Sequence, residues 1–81
     1  MSLNKLYVIA FYEEAQFRDS YLRIDGDQTS DSYITPENIQ DIKFFKDRDK
    51  AEKECNKQNK EIEECGLQEE AVVEEVILHI K

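Results

Sequence analysis

Glycine, proline, histidine and cysteine are all scarce in this chain of 81 residues, and tryptophan is absent. Two glycines, Gly26 and Gly66, cannot build a glycine-rich loop around a phosphate. The one histidine, His79, has no serine or cysteine beside it in a recognisable catalytic motif, and no cysteine–histidine cluster offers a structural metal site. The two cysteines, Cys55 and Cys65, stand ten positions apart. On one helix they would share a side but lie roughly 15 Å apart along its axis, beyond the Cα separation of about 7 Å that a disulfide tolerates. Both are expected as small, semi-buried packing residues in a reducing compartment. No apolar run approaches the roughly 20 residues that span a bilayer, and no basic stretch followed by an apolar core marks a secretory signal. A cytoplasmic protein is expected, with no membrane association, no metal and no cofactor.

Positive charge is the other shortage. Nineteen acidic residues face eleven basic ones, for a formal net charge of −8. The excess is concentrated: residues 25–41 carry Asp25, Asp27, Asp31, Glu37 and Asp41 with no basic residue, and residues 66–81 carry Glu69, Glu70, Glu74 and Glu75 against Lys81. Residues 1–24 and 42–65 are each balanced. Direct nucleic-acid binding requires cationic groups that displace counterions from phosphates, so it is not expected. The same argument weighs against the aromatic strand residues serving as a base-stacking platform.

The acidic run Asp25-Gly26-Asp27-Gln28-Thr29-Ser30-Asp31 alternates oxygen-bearing side chains as a calcium loop does. However, Ser30 stands where the sharp turn needs glycine, and Pro36 where the bidentate glutamate belongs. It is read as a solvated turn. Adjacent acids such as Glu63/Glu64 and Glu74/Glu75 do not by themselves make a proton-transfer pair, since that needs two environments that split their pKa values. No catalytic residue is assigned, and an enzyme is not expected.

What is present is a pattern of short elements. Leu3 to Tyr12 alternates with apolar residues on both sides, Leu6, Val8, Ala10 and Tyr12 on one face and Tyr7, Ile9 and Phe11 on the other, which predicts a strand covered on both faces. Phe17 to Ile24 predicts a second strand, joined to the first in an antiparallel hairpin through Glu13 to Gln16. Tyr33 and Ile34 suggest a brief strand. Thr35-Pro36-Glu37 reads as an N-cap with proline at the first helical position, hence one helical turn. Ile42, Phe44 and Phe45 suggest another short strand.

Asp47 is placed to cap a helix running to Cys65 and stopped by Gly66. Its least polar positions, Ala51, Cys55, Gln58, Ile62 and Cys65, form a thin stripe suited to packing on a sheet. Asp49–Lys53 and Lys57–Glu61 have the spacing of supportive pairs. Ala71 to Ile80 predicts the last strand, with Val72, Val76, Leu78 and Ile80 on one face and Val73, Ile77 and His79 on the other. The strand near Phe44, the helix and this strand suggest a βαβ unit if the two strands are parallel neighbours.

The expectation is a single small α+β domain over residues 1–81, with a three- to five-stranded, largely antiparallel sheet and one long helix (about 48–65) packed on one face. One helix covers one face, so either the 25–41 segment folds over the other or that face meets another chain. A chain this short buries only about 60–65% of its unfolded surface, and association into a homodimer is the remaining route to added stability.

The run Phe44-Phe45-Lys46-Asp47-Arg48-Asp49-Lys50-Ala51-Glu52-Lys53, followed by a polar helix and a Val-Glu-rich closing strand, resembles short acidic phage- or prophage-encoded α+β proteins of unknown function. The resemblance covers residues 42–80 and is carried by a helix-start pattern. Members of that group that are understood often bind and modulate a host protein, so it implies a protein partner and transfers no functional residue. Two readings follow. The leading one is a non-enzymatic protein-binding or regulatory module, with Tyr7, Phe11, Phe17 and Tyr21 on the sheet and Glu69, Glu70, Glu74 and Glu75 on the last strand as candidate contact residues. The alternative is an acidic decoy, in which those glutamates imitate a phosphate backbone and block the groove of a nucleic-acid-handling enzyme.

Overall fold

The computed structural model describes residues 3–13 and 17–79, and the side chains of all of these but residues 3, 4, 17, 19, 78 and 79. The elements are β1 (Leu3–Glu13), β2 (Phe17–Tyr21), α1 (Arg48–Cys65) and β3 (Glu69–His79). They form an α+β domain whose three-stranded sheet has the order β2-β1-β3, antiparallel throughout. The residues that join the predicted hairpin, 14–16, lie outside the described part.

The double alternation of β1 puts it at the centre of the sheet. On one face Ile9 and Phe11 pack with Leu22, Ala71 and the helix residues Cys55 and Ile62, with Phe45 and Val73 against them. On the other, Val8 and Ala10 pack with Tyr21 and Ile42, and Tyr12, Ile34, Phe44 and Val76 close around them. The second face is therefore covered by the chain's own connection between β2 and α1, which supplies Ile34, Ile42 and Phe44.

The caps of α1 are those its sequence calls for. The Asp47 carboxylate accepts from the Asp49 N–H at 2.9 Å. At the other end Gly66 adopts φ 70° and donates to the Glu63 carbonyl while Leu67 donates to that of Ile62, a Schellman ending that needs the left-handed residue. Of the predicted stripe, Ala51, Cys55 and Ile62 are buried and Gln58 is half-buried, but Cys65 is exposed. A 4-3-4-3 spacing drifts against the 3.6-residue helical period by about 20° per heptad, which carries Cys65 to the margin of the stripe and out of the core. The i,i+4 ion pair within reach is Arg48–Glu52 at 3.3 Å rather than either pair expected from spacing.

Three expectations about the connection need correction. Tyr33 and Ile34 form no strand, because Arg18 holds this segment to β2 through the Ser32 carbonyl at 2.7 Å and a contact with the Tyr33 ring. Residues 42–45 make isolated bridges, Ile42 with Arg23 and Phe45 with Tyr7, in place of a strand. Phe45 joins the edge of β1 opposite to β3, so β1 lies between the two ends of the helical crossover, and among the described residues no pair of strands runs parallel. The predicted turn at Thr35 is present: Thr35 Oγ1 accepts from the Asn38 N–H, Asn38 Oδ1 accepts from the Thr35 N–H, and the Ile39 N–H reaches the Thr35 carbonyl.

Candidate functional site

The outer edge of β3 is defined by hydrogen-bond alternation. In an antiparallel pair, opposed residues alternately exchange both backbone bonds and none. Tyr7 spends its N–H and carbonyl on Phe45, at 2.8 Å each, so its pairing with Glu75 is of the unbonded kind. By alternation the same holds for Phe11–Ala71, Ile9–Val73 and Lys5–Ile77. The backbone groups of Ala71, Val73, Glu75 and Ile77 therefore point away from β1, to the outside of the sheet.

Among the described residues, Ala71 alone of these four has its outward groups occupied. The Asn59 side chain of α1 accepts from the Ala71 N–H at 2.7 Å and donates to the Ala71 carbonyl at 2.9 Å, so an amide stands in for one residue of a neighbouring strand. The Cys55 thiol donates to the same carbonyl at 3.1 Å. Burial, with the nearby charges of Glu70 and Glu52, pushes that thiol above its ordinary pKa. Among the described residues nothing pairs with the outward backbone of Val73, Glu75 or Ile77. Burying such groups against a partner without pairing them would be costly, so they favour an occupant that brings its own backbone.

The four glutamates of β3 do not act as one patch. Glu74 is clasped on the face away from α1: the Tyr12 hydroxyl donates to it, and Arg18 Nη1 lies 3.4 Å from its other oxygen. Arg18 in turn sits 5.2 Å from the Tyr21 ring centroid and 5.5 Å from that of Tyr33. This cluster ties all three strands and the connection together. Donation to Glu74, with burial, pushes the Tyr12 phenol above its ordinary pKa, and burial does the same for Tyr21. Glu75 is exposed and lies 3.5 Å from Lys5, Glu70 is exposed, and Glu69 is half-buried.

Of the aromatic candidates, Phe11 and Tyr21 belong to the core and Tyr7 is half-buried. The Phe17 side chain lies outside the described part. The residues that sequence reading missed are Asn59, Arg18 and Thr29, the last of which accepts from the Tyr21 N–H through Oγ1 at the β2 edge. Asn59 had one available signal, since an asparagine in a helix interior on the flank of an apolar stripe is unfavourable unless its amide has work outside the helix.

A separate open groove of about 310 Å³ lies between residues 22–26 and α1, with Arg23, Lys43 and Lys57 interleaved with Asp25, Glu54 and Glu61. Lys43 is drawn to Glu54 at 3.6 Å and Arg23 to Asp25 at 3.3 Å, while Arg23 Nε is buried without an acceptor among the described residues. The Asp25 carboxylate accepts from the Asp27 N–H, so it serves its own turn. Among the described residues no three His, Cys, Asp or Glu side chains converge as a metal site would require. Among the described residues no helix is long and apolar enough to cross a membrane. Comparison with protein-family models, with curated proteins and with solved structures finds no match.

Proposed function

We propose that this chain is a non-enzymatic protein-binding module, acting by protein–protein contact along β3. The observation that supports this reading is the open backbone of Val73, Glu75 and Ile77 on a strand whose exposed glutamates flank it. The half-exposed Ile77 adds apolar contact at the same place. The acidic-decoy reading has less support. A phosphate mimic needs a free row of carboxylates, whereas Glu74 is clasped by Tyr12 and Arg18 and Glu75 faces Lys5.

The test begins with capture of partners by the tagged chain from native lysate in reductant, followed by identification and purification of the captured protein. Hydrogen exchange on the purified complex should show protection centred on residues 73–77. The complex should survive between about 0.1 M and 1 M salt, weakened only by the share its glutamates contribute, as the screening length falls from about 10 Å to 3 Å. A nucleic-acid-handling partner whose complex collapses over that range, and is lost when Glu69 and Glu70 become glutamine, would replace this reading with the decoy. A footprint away from β3 would refute the placement of the contact.

A further inference from the structure

We infer that the outer edge of β3 accepts an extended, cationic segment of the partner as a fourth strand, paired along Val73–Ile77 and ended at Ala71. This rests on the protein-binding reading and specifies its mode. Three features carry it.

The first is continuity. The β1–β3 register runs from Leu3–His79 to Glu13–Glu69 without a shift, so the outward groups of Val73, Glu75 and Ile77 recur regularly, about every 7 Å. That is the spacing an added strand requires.

The second is the stop. Asn59 already occupies both backbone groups of Ala71. An added strand therefore cannot continue past that residue without displacing the amide, which sets one end of the pairing.

The third is charge. Between Glu69 and His79 there are four carboxylates and no lysine or arginine. A second copy pairing here would set one such strand against another, on chains that each carry a net charge of −8. Like charges on paired strands are destabilising, and opposite charges are favourable. The exposed Glu75, which lies 3.5 Å from Lys5, thus favours a strand bearing lysine or arginine beside it, with an apolar residue against Ile77 on the same face.

The test is an amide chemical-shift titration by NMR of the full chain with a short, end-blocked peptide that carries lysine and valine two positions apart, so that both fall on the face of Glu75 and Ile77. Shifts should concentrate at Val73, Glu75 and Ile77 and spare Tyr21. A peptide of the same charge, N-methylated at the residues whose N–H groups would face β3, should bind about tenfold more weakly or worse, the equivalent of one or two backbone hydrogen bonds. Ile77→Pro, which removes an outward N–H without touching the ladder to β1, should weaken the parent peptide similarly.

Equal binding of both peptides would reduce the effect to charge attraction and overturn the inference. Concentration-dependent dimerisation in sedimentation, with the same amides protected in the chain alone, would replace the cationic strand with a second copy. A purified partner that protects β3 while the parent peptide shifts nothing would overturn strand addition and leave the protein-binding reading standing. No partner footprint on β3 would remove that reading itself.

Discussion

At the β2 edge the chain folds back to cover itself. The Thr29 N–H donates to the Tyr21 carbonyl at 2.9 Å, Thr29 Oγ1 accepts from the Tyr21 N–H at 3.0 Å, and Ser20 and Arg18 add bonds to Gln28 and Ser32. This edge is also short, and its register against β1 shifts between Phe11 and Tyr12. At the β3 edge an 11-residue strand keeps perfect register, and two helical side chains, Asn59 and Cys55, close one residue. Both edges turn alternate backbone groups outward. Bulges, brevity and cover are the usual devices that keep an edge from pairing with another chain, and this molecule applies all three to β2. On β3 it applies a single clamp and a set of glutamates. The proposed contact along β3 rests on this asymmetry.

The largest expected effect comes from removing the element that carries the clamp. Ile62 is 8% exposed and packs under α1 against the β1–β3 face. Ile62→Asp would leave an unpaired charge there and should cost about 4 kcal/mol, much of the stability of a small domain. Urea denaturation would measure it. An unchanged midpoint would mean that α1 does not hold the β3 edge as described.

Substitutions of the two covers compare the edges directly. Thr29→Val keeps the shape but leaves the buried Tyr21 N–H without an acceptor, at an expected cost of about 2 kcal/mol. Asn59→Ala should cost less, about 1 kcal/mol, because Asn59 is only half-buried and the Ala71 carbonyl keeps the Cys55 thiol. Amide exchange should accelerate at Tyr21 in the first variant and at Ala71 in the second. If Asn59→Ala proves the more damaging, the β3 clamp is the stronger cover and the asymmetry is reversed.

Much of the architecture was legible in the residues themselves. The double alternation of Leu6 to Tyr12 marked a central strand, and Asp47 and Gly66 bounded the helix, because these signals act within a few positions of one another. The covers were not legible. Thr29 and Asn59 meet Tyr21 and Ala71 across 8 and 12 positions, and the need for them arises only once an edge exists. The glutamates of β3 were visible as charge. Whether each was free or clasped depended on Arg18 and Tyr12, which no local pattern links to Glu74.

The Tyr12–Glu74 contact bears on the comparison through pH. Tyr12 is a phenol whose folded pKa lies above its ordinary value of 10.0, chiefly because it donates to the Glu74 carboxylate. A group whose proton is held more tightly in the folded state stabilises the fold fully below the unfolded pKa, and that contribution is lost as pH rises through the folded value. Stability should therefore fall as pH climbs past about 10, and Tyr12→Phe should flatten part of that fall. At neutral pH the same change should cost about 1 kcal/mol. Thermal melts across neutral and alkaline pH would show whether the slopes differ. Identical slopes would mean that Tyr12 does not donate to Glu74, which would leave Arg18 alone to hold it.

The smallest expected effect is also the sharpest discriminator between the edges. Proline is tolerated in a strand only where the lost N–H points away from the ladder and bonds to nothing. At Ile77 the outward N–H has no partner among the described residues, so Ile77→Pro should shift stability by no more than about 0.5 kcal/mol, within the range of ordinary surface changes. Tyr21→Pro occupies the equivalent outward position on the other edge, where the N–H is held by Thr29 and the ring lies in the core, and it should unfold the hairpin. Circular dichroism melts of the two variants would decide. A near-silent proline at residue 77 beside a destructive one at residue 21 is what an open edge and a covered edge require, whereas comparable losses would show that the outer backbone of β3 is already engaged.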